Sequence, residues 1–193
     1  MTSPAARPGL SIELIVDTAL QLIAKHGADR LSMRQLSAEL GVSLGATYRH
    51  VPSKEALLTL CGRALYERSY TSPDHGEDPL LWVREQVMHL YDLLVAHPGM
   101  ASRMASSTVF AGNVDPELQE AVRRSLIQAG HSEENADMVG LVLTLFTAGA
   151  LMASGRSDAE NTSGLSTRSL IVTGIDFILH SYAAGDAGAP PLS

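Results

Sequence analysis

The sequence predicts an all-α protein of about nine helices, and three observations support this class. Hydrophobic residues make up 45% of the 193-residue chain, whereas aromatic residues make up only 5%. This composition, with many leucines and alanines, suits helices better than sheets. Apolar residues recur at the three- and four-residue spacing of amphipathic helices, and alternating strand patterns are essentially missing.

The first predicted helix follows a short polar segment. Residues 1–10 contain two prolines and are expected to form a loose arm. Ser11 is a suitable N-cap for a helix that reaches about His26, and Gly27 ends it. The apolar positions of this helix form one buried stripe, which consists of Ile12, Ile15, Val16, Ala19, Leu22 and Ile23.

Two short helices joined by a tight turn are predicted next. Ser32 and Gln35 have the spacing of a capping box at the start of the first. Gly41 lacks the Cβ that makes a left-handed conformation costly, so it suits the turn, and Ser43 can cap a second helix over 44–50. The first helix has one apolar face, formed by Met33, Leu36 and Leu40. This layout is that of a helix-turn-helix, whose second helix enters the DNA major groove.

Six further helices are predicted beyond this motif. They are 53–70, 80–97, one short helix within 98–114, 115–130, 133–154 and 165–183. The polar stretch 71–79 is predicted to be a linker or loop, and the tail 185–193 to be disordered. These elements divide the chain into an N-terminal domain, residues 1–52, and a helical body, residues 53–184.

Composition also restricts the class of protein. The single cysteine, Cys61, excludes an internal disulfide and is typical of a reducing cytoplasm. No signal peptide and no apolar run long enough to cross a bilayer is found, so we expect a soluble cytoplasmic protein. We predict no enzyme activity, cofactor or metal site. The seven histidines show no zinc-binding spacing with a glutamate, and Gly-rich phosphate loops and G-x-S-x-G are missing.

Charge is distributed unevenly along the chain. The formal net charge of −7 is unfavourable for binding a polyanion. However, residues 1–70 carry eight basic and six acidic side chains, a net charge of +2, whereas the remaining residues carry a net charge of −9. A mildly basic N-terminal segment, residues 1–70, followed by an acidic remainder lets DNA approach from one end. Because an excess of two is modest, we expect dimerisation to double the phosphate contacts.

The second helix of the motif carries candidate DNA contacts. The Tyr48 hydroxyl can donate to a phosphate, with a partly buried Tyr48 as the alternative, and His50 can reach a backbone oxygen. Ala46 and Thr47 are small, so the helix can lie close to base edges, and the Thr47 methyl suits thymine. Gly45 permits close backbone approach, although it costs about 1 kcal/mol of helix stability relative to Ala.

Three basic residues complete the predicted DNA surface. Lys54 lies in the first turn of a helix, where its charge opposes the helix dipole unless a phosphate docks there. For Arg34, guanine readout, phosphate contact and plain solvation stay open, and Arg49 is predicted to face phosphate or solvent. The complete set is Arg34, Ser43, Leu44, Gly45, Ala46, Thr47, Tyr48, Arg49, His50 and Lys54.

These residues resemble the DNA-binding domain of the tetracycline-repressor (TetR) family of bacterial transcription regulators. The matching pieces are G-V-S at 41–43, Gly45, Tyr48 followed by His50, and S-K-E-A-L-L at 53–58, and Arg34 matches a DNA-contacting position. The detailed resemblance covers about a third of the chain. Two positions depart from the family, which mostly carries a large aliphatic residue at Thr47 and often Phe at Val51. The resemblance implies a body that binds a small molecule and thereby changes the spacing of two DNA-binding domains.

The last two helices predict a homodimer. The segment 136–153 contains one charged residue, Asp137, so its helix is apolar nearly all round and must be buried on several sides. The final helix is also rich in apolar positions. We expect these helices from two copies to form a four-helix interface, with a monomeric core helix as the alternative.

A ligand cavity is also predicted in the body. Trp82, Gln86 and His89 share one helical face. An apolar cavity with few polar anchors could be completed by Met100, Arg103, Met104, Phe110 and Phe146, although each is also compatible with ordinary core or surface. Its ligand would be mostly apolar, and weakly anionic if Arg103 points inward.

Together these features predict a homodimeric, ligand-released repressor that binds an inverted-repeat operator. The alternative is a constitutive DNA-binding or architectural dimer without a ligand. A cavity in the body would favour the ligand-released repressor, and a fully packed body would favour the alternative.

Overall fold

The computed structural model describes residues 10–73, 78–106, 116–154 and 166–181. Within these ranges the chain forms nine helices and no strand, which confirms the predicted all-α class. They are α1 Ile12–His26, α2 Met33–Glu39, α3 Leu44–His50, α4 Lys54–Ser69, α5 Pro79–Val95, α6 Met100–Ser106, α7 Pro116–Gln128, α8 Glu133–Ser154 and α9 Thr167–Ser181. Residues 1–9 of the predicted arm, the segment 107–115 and the predicted tail lie outside the described residues.

Serine side chains begin the first four helices, as their spacing predicts. Each hydroxyl oxygen accepts a hydrogen bond from the amide three residues later, at 3.0–3.2 Å. These bonds satisfy amides that have no partner within the helix. The capping serines are Ser11, Ser32, Ser43 and Ser53.

The N-terminal domain packs around α1. This helix contacts α2 and α4, and α4 packs against α5 on its other side. The core side chains of this region are buried completely, and they include Ile15, Ala19, Ile23, Leu36, Val51 and Leu57. Because α4 shares its core with both α1 and α5, the N-terminal domain and the body form one continuous apolar cluster.

The connection between α1 and α2 touches the connection between α5 and α6. The Ala28 amide donates to the Pro98 carbonyl at 2.8 Å. Gly99 has φ +85°, which favours glycine, and a Cβ placed there would lie 3.3 Å from the Ala28 Cβ. The two connections therefore pack backbone against backbone.

The helices α5 and α9 run antiparallel. Arg84 near the start of α5 pairs with Asp176 near the end of α9 at 3.5 Å. At the opposite ends, Asp92 of α5 pairs with Arg168 of α9 at 3.0 Å. None of the described helices has both the length and the apolar character needed to cross a membrane.

The surface formed by α8 and α9 leaves large apolar side chains exposed. Leu141 and Leu145 of α8 are 61% and 64% exposed, and Phe177 of α9 is 73% exposed. The opposite side of α8 is buried through Val139 and Leu143. In a single copy, α8 is therefore covered on fewer sides than its composition predicts.

Candidate functional site

A buried hydrogen bond holds the two helices of the motif together. Thr47 of α3 is 0% exposed, and its hydroxyl lies 2.8 Å from the Ser37 hydroxyl of α2. The Ser37 hydroxyl donates to the Met33 carbonyl at 2.7 Å, so the Thr47 hydroxyl is the donor between the two side chains. Both buried hydroxyl protons therefore have acceptors.

This arrangement corrects the prediction that Thr47 reads bases. The side chain faces α2 rather than solvent, so its methyl group cannot reach a thymine. Thr47 stands where the family mostly has a large aliphatic residue. Ser37 explains why a hydroxyl is tolerated there, because it satisfies a polar group that would otherwise be buried without a partner.

The remaining predicted residues lie on or near one surface of the motif. Tyr48 is 45% exposed, so a large part of its side chain is accessible to a DNA partner. Gly45 is exposed, and a Cβ placed there would have no heavy atom within 4 Å. Exposed side chains are Arg34, Ser43, Arg49 and His50, and half-buried ones are Leu44, Ala46 and Lys54.

Two basic side chains meet the connection between α1 and α2. The Lys54 Nζ donates to the Asp29 carbonyl at 2.9 Å. Arg103 of α6 bonds the Asp29 carboxylate at 2.8 Å and the Glu55 carboxylate at 3.4 Å. The Arg103 guanidinium therefore lowers the pKa of the Asp29 carboxyl below its ordinary value. Lys54 thus has a local partner that its helix position alone does not reveal.

The body contains a cavity of about 670 Å³ between α4, α5, α7 and α8. Its deep wall is apolar, and exposed Leu141 and Leu145 lie at its rim. The lining consists of Tyr66, Ser69, Val83, Gln86, Val87, Leu90, Leu118, Gln119, Glu120, Val122, Arg123, Ala136, Asp137, Gly140, Leu141, Leu143, Thr144, Leu145 and Thr147. A volume of this size accommodates a small organic molecule.

Of the residues predicted to form a cavity, Gln86 lines the cavity described here, and the predicted site around the others stays a prediction. Trp82 is 2% exposed, and its Nε1 donates to the Thr71 carbonyl at 3.1 Å, so it anchors the segment that precedes α5. His89 is exposed. Phe146 packs against α9, where its ring occupies the space next to Gly174.

The predicted cavity residues of α6 contact parts of the chain other than this cavity. Met100 and Met104 are buried against Gly62 of α4, where an added Cβ would lie 3.2 Å from the Met104 Cγ. Arg103 pairs with carboxylates near the N-terminal domain and is not among the residues that line this cavity, so it gives no support for an anionic ligand there. Phe110 lies outside the described residues.

One sequence signal could have located this cavity. Ala136, Gly140 and Thr144 are small and recur every four residues on α8, so they form one narrow stripe. A Cβ added at Gly140 would meet nothing within 4 Å. Small residues on an inward-facing stripe leave space between helices.

Comparisons with known proteins agree with this fold. Residues 15–61 match the model of the tetR family of bacterial regulatory proteins. The chain is 33% identical over 94 residues to the HTH-type transcriptional regulator YuxN of Bacillus subtilis, which covers 47% of this chain but only 32% of that protein. It is 28% identical over 153 residues to the class C tetracycline repressor of Escherichia coli, covering 78% of this chain and 69% of that protein.

Two solved structures show the same architecture over nearly the whole chain. ActR of Streptomyces coelicolor in complex with actinorhodin matches with a TM-score of 0.75 and 22% identity, covering 94% of this chain and 100% of that chain. BioQ with its double-stranded DNA operator matches with a TM-score of 0.68 and 24% identity, covering 91% and 99%. At these identities the likeness establishes a shared fold.

Proposed function

Because this chain belongs to the tetR family of bacterial regulatory proteins, we propose that it is a cytoplasmic repressor released by a small molecule. Residues 1–52 bind an inverted-repeat operator, and residues 53–184 dimerise and bind the effector. The observation that carries this proposal is the division of α3 into two faces. Thr47 locks α3 to α2, while Tyr48 and Gly45 are left exposed on the same helix.

The exposed face of α3 is suited to DNA. Tyr48 offers a hydroxyl and a ring surface, and Arg49 and His50 follow it at the end of the helix. Gly45 lets the backbone approach a base edge closely. Phosphates repel the acidic part of the chain beyond residue 70, so the mildly basic residues 1–70 form the end that DNA meets first.

The exposed apolar surface of α8 and α9 supports dimerisation. Leu141, Leu145 and Phe177 are each more than 60% exposed in one copy, which is unfavourable unless a partner covers them. A dimer built on this surface carries two copies of α3, and we expect them to enter successive major grooves, which lie about 34–36 Å apart. The operator would then be an inverted repeat.

The cavity supports release by a ligand rather than constitutive binding. The helix α4 begins at Lys54 beside the N-terminal domain, and Tyr66 and Ser69 of its last turns line the cavity. A helix of 16 residues is about 24 Å long, so α4 connects the two regions directly. To release DNA 100-fold, a ligand needs a differential affinity of about 2.7 kcal/mol between the two spacings of the N-terminal domains.

Selection of bound sequences from random duplex DNA, at a stated salt concentration, tests the function. We expect an inverted repeat to be recovered. A steep salt dependence without sequence preference would instead favour the architectural dimer. The recovered operator then serves as the probe for screening effectors.

Two neighbouring substitutions test the assigned surface. Tyr48→Ala should weaken operator binding by at least about tenfold, about 1.4 kcal/mol, because it removes an exposed contact. Thr47→Val is the matched control and should leave operator binding unchanged, because this side chain is buried and Ser37 keeps its Met33 acceptor. Fluorescence anisotropy with the selected operator measures both. Equal effects of the two changes would contradict the assignment of the exposed face.

A further inference from the structure

The body cavity has an uneven chemistry, with a neutral interior and an acidic mouth. On the premise that it is the effector site of the proposed function, we propose that it selects an amphipathic organic cation and discriminates against anions. The positive group would lie at the mouth beside Asp137 and Glu120, and the apolar part would lie against α5.

Three hydroxyl groups that line the cavity already donate their single proton to a backbone carbonyl. Ser69 Oγ donates to the Tyr66 carbonyl at 2.7 Å. Thr144 Oγ1 donates to the Gly140 carbonyl at 2.9 Å, and Thr147 Oγ1 donates to the Leu143 carbonyl at 2.7 Å. Because a hydroxyl has one proton, each of these oxygens can only accept from a ligand.

The Gln86 amide is held in place by Thr71, which takes up its oxygen and one of its two Nε2 protons. Its Oε1 accepts from the Thr71 amide at 3.0 Å, and its Nε2 donates to the Thr71 hydroxyl. An anion needs hydrogen-bond donors when it leaves water, and the three hydroxyl groups supply none. They favour a ligand that donates or that makes no strong hydrogen bonds.

The charged side chains at the mouth of the cavity also favour a cation over an anion. Among the described residues that line the cavity, Arg123 is the one basic side chain. Its Nη2 bonds Glu133 at 2.8 Å and its Nε bonds Asp137 at 3.0 Å, so two carboxylates oppose one guanidinium. Glu120 also lines the mouth and lies 3.7 Å from Arg124. These three carboxylates and two guanidiniums leave a net charge of −1.

The deep wall of the cavity explains the apolar part of the ligand. Val83 and Leu90 of α5 and Leu143 of α8 are buried side chains that line it. A cation without an apolar part would lose its hydration without replacing it, whereas an alkyl or aryl group gains from burial there. The net charge of −9 beyond residue 70 also raises the local concentration of a cation.

Displacement of a neutral fluorescent probe, N-phenyl-1-naphthylamine, from the full chain tests this charge preference. The competitors are decyltrimethylammonium, decanol and decyl sulfate below their micelle concentrations, which share one alkyl chain and differ in charge. We expect the ammonium compound to bind at least about tenfold more tightly than the sulfate. Equal binding of the two, tighter binding of the sulfate, or no displacement by the ammonium compound would overturn the proposal.

Two charge variants on α8 test whether the preference for ammonium over sulfate arises at the mouth of the cavity. Asp137→Asn should reduce the preference for ammonium over sulfate about three- to tenfold, because it removes a negative charge and frees one side of Arg123. Glu134→Gln removes the same charge from an exposed position that does not line the cavity, and should leave the preference unchanged. Equal shifts in the two variants would overturn the proposal.

Release of the selected operator is measured with the same probes. Release by decanol and decyl sulfate as readily as by the ammonium compound would retain the ligand-released repressor and overturn only the charge selection. Failure of the chain to recover any operator would overturn the proposed function, while the displacement result would still decide the charge preference.

Discussion

Gly45 lies in the first turn of α3, at a position where the fold itself does not require glycine. It is not among the glycines with positive φ, and an added Cβ would meet no heavy atom within 4 Å. Glycine inside a helix costs about 0.5–1 kcal/mol relative to alanine. A residue that weakens its own helix on an exposed surface is best explained by the backbone approach that DNA would need there.

Gly45→Ala should therefore separate stability from binding. The free energy of unfolding should rise by about 0.5–1 kcal/mol, while operator affinity should fall because the methyl group occupies the space of a base edge. Urea unfolding and fluorescence anisotropy measure the two quantities. Gly140→Ala in α8 is the control, since its Cβ would also meet nothing within 4 Å and it lies on the cavity side. It should be stabilising without effect on DNA binding, and unchanged affinity in Gly45→Ala would argue against close approach.

Thr47 illustrates how a single residue changes its role through one neighbour. Thr47 and Tyr48 are adjacent in sequence, but successive helical positions differ by about 100° in direction. One side chain consequently meets Ser37, and the other meets solvent. A small polar residue of α3 therefore contributes to packing here, while the neighbouring tyrosine remains the candidate DNA contact.

The packing of α8 against α9 depends on one close contact, in which the Phe146 ring lies against Gly174. A Cβ at Gly174 would overlap the Phe146 ring, which is half-buried between the two helices. Gly174 therefore sets the distance between α8 and α9 at this level. Because these helices also carry the exposed apolar surface, their spacing determines the shape that a second copy would meet.

Gly174→Ala should lower the free energy of unfolding by about 1–3 kcal/mol, since the aromatic ring must leave its position or the helices must separate. Chemical denaturation with far-UV circular dichroism measures the change. Thr173→Ala affects the preceding, exposed residue of α9 and should stay within about 0.5 kcal/mol of the parent. A Gly174→Ala protein as stable as the parent would show that this contact does not limit the helix spacing.

At the scale of the whole molecule, the cavity and the apolar surface share residues. Leu141 and Leu145 lie at the cavity rim and are also exposed on the surface proposed for dimerisation. A second copy on this surface would cover the rim, so we expect effector affinity to depend on the oligomeric state. Effector binding in the cavity and association of two copies through the apolar surface would then be thermodynamically linked.

Phe177→Asp should convert the dimer into monomers without unfolding the chain, because this side chain is 73% exposed in one copy and a carboxylate there opposes its own symmetry mate. We expect the dissociation constant of the dimer to rise by at least about 30-fold, about 2 kcal/mol. Sedimentation equilibrium measures it. Val95→Asp is the control, because Val95 is 54% exposed at the end of α5, away from this surface. A Phe177→Asp protein that stays dimeric would exclude this surface as the main interface.

The sequence by itself determined the all-α class, the helix-turn-helix and most helix boundaries. Capping serines act on an amide three residues away, and Gly27 and Gly41 end helices through their own positive φ of 83° and 66°. Such interactions are local, so they can be inferred from neighbouring residues. The apolar composition of α8 and α9 also predicted a dimer interface, and that interface stays a prediction.

Only the tertiary structure decided which side chains meet across long separations. Arg103 faces Asp29, 74 residues away, instead of a cavity, and the cavity is enclosed by four helices that span residues 54 to 154. Thr47 became a core residue through Ser37, ten residues earlier. Helical periodicity predicts that a face exists, but the neighbour that covers it depends on how the helices pack. Burial, ion pairing and the position of empty space are therefore properties of the assembled helices.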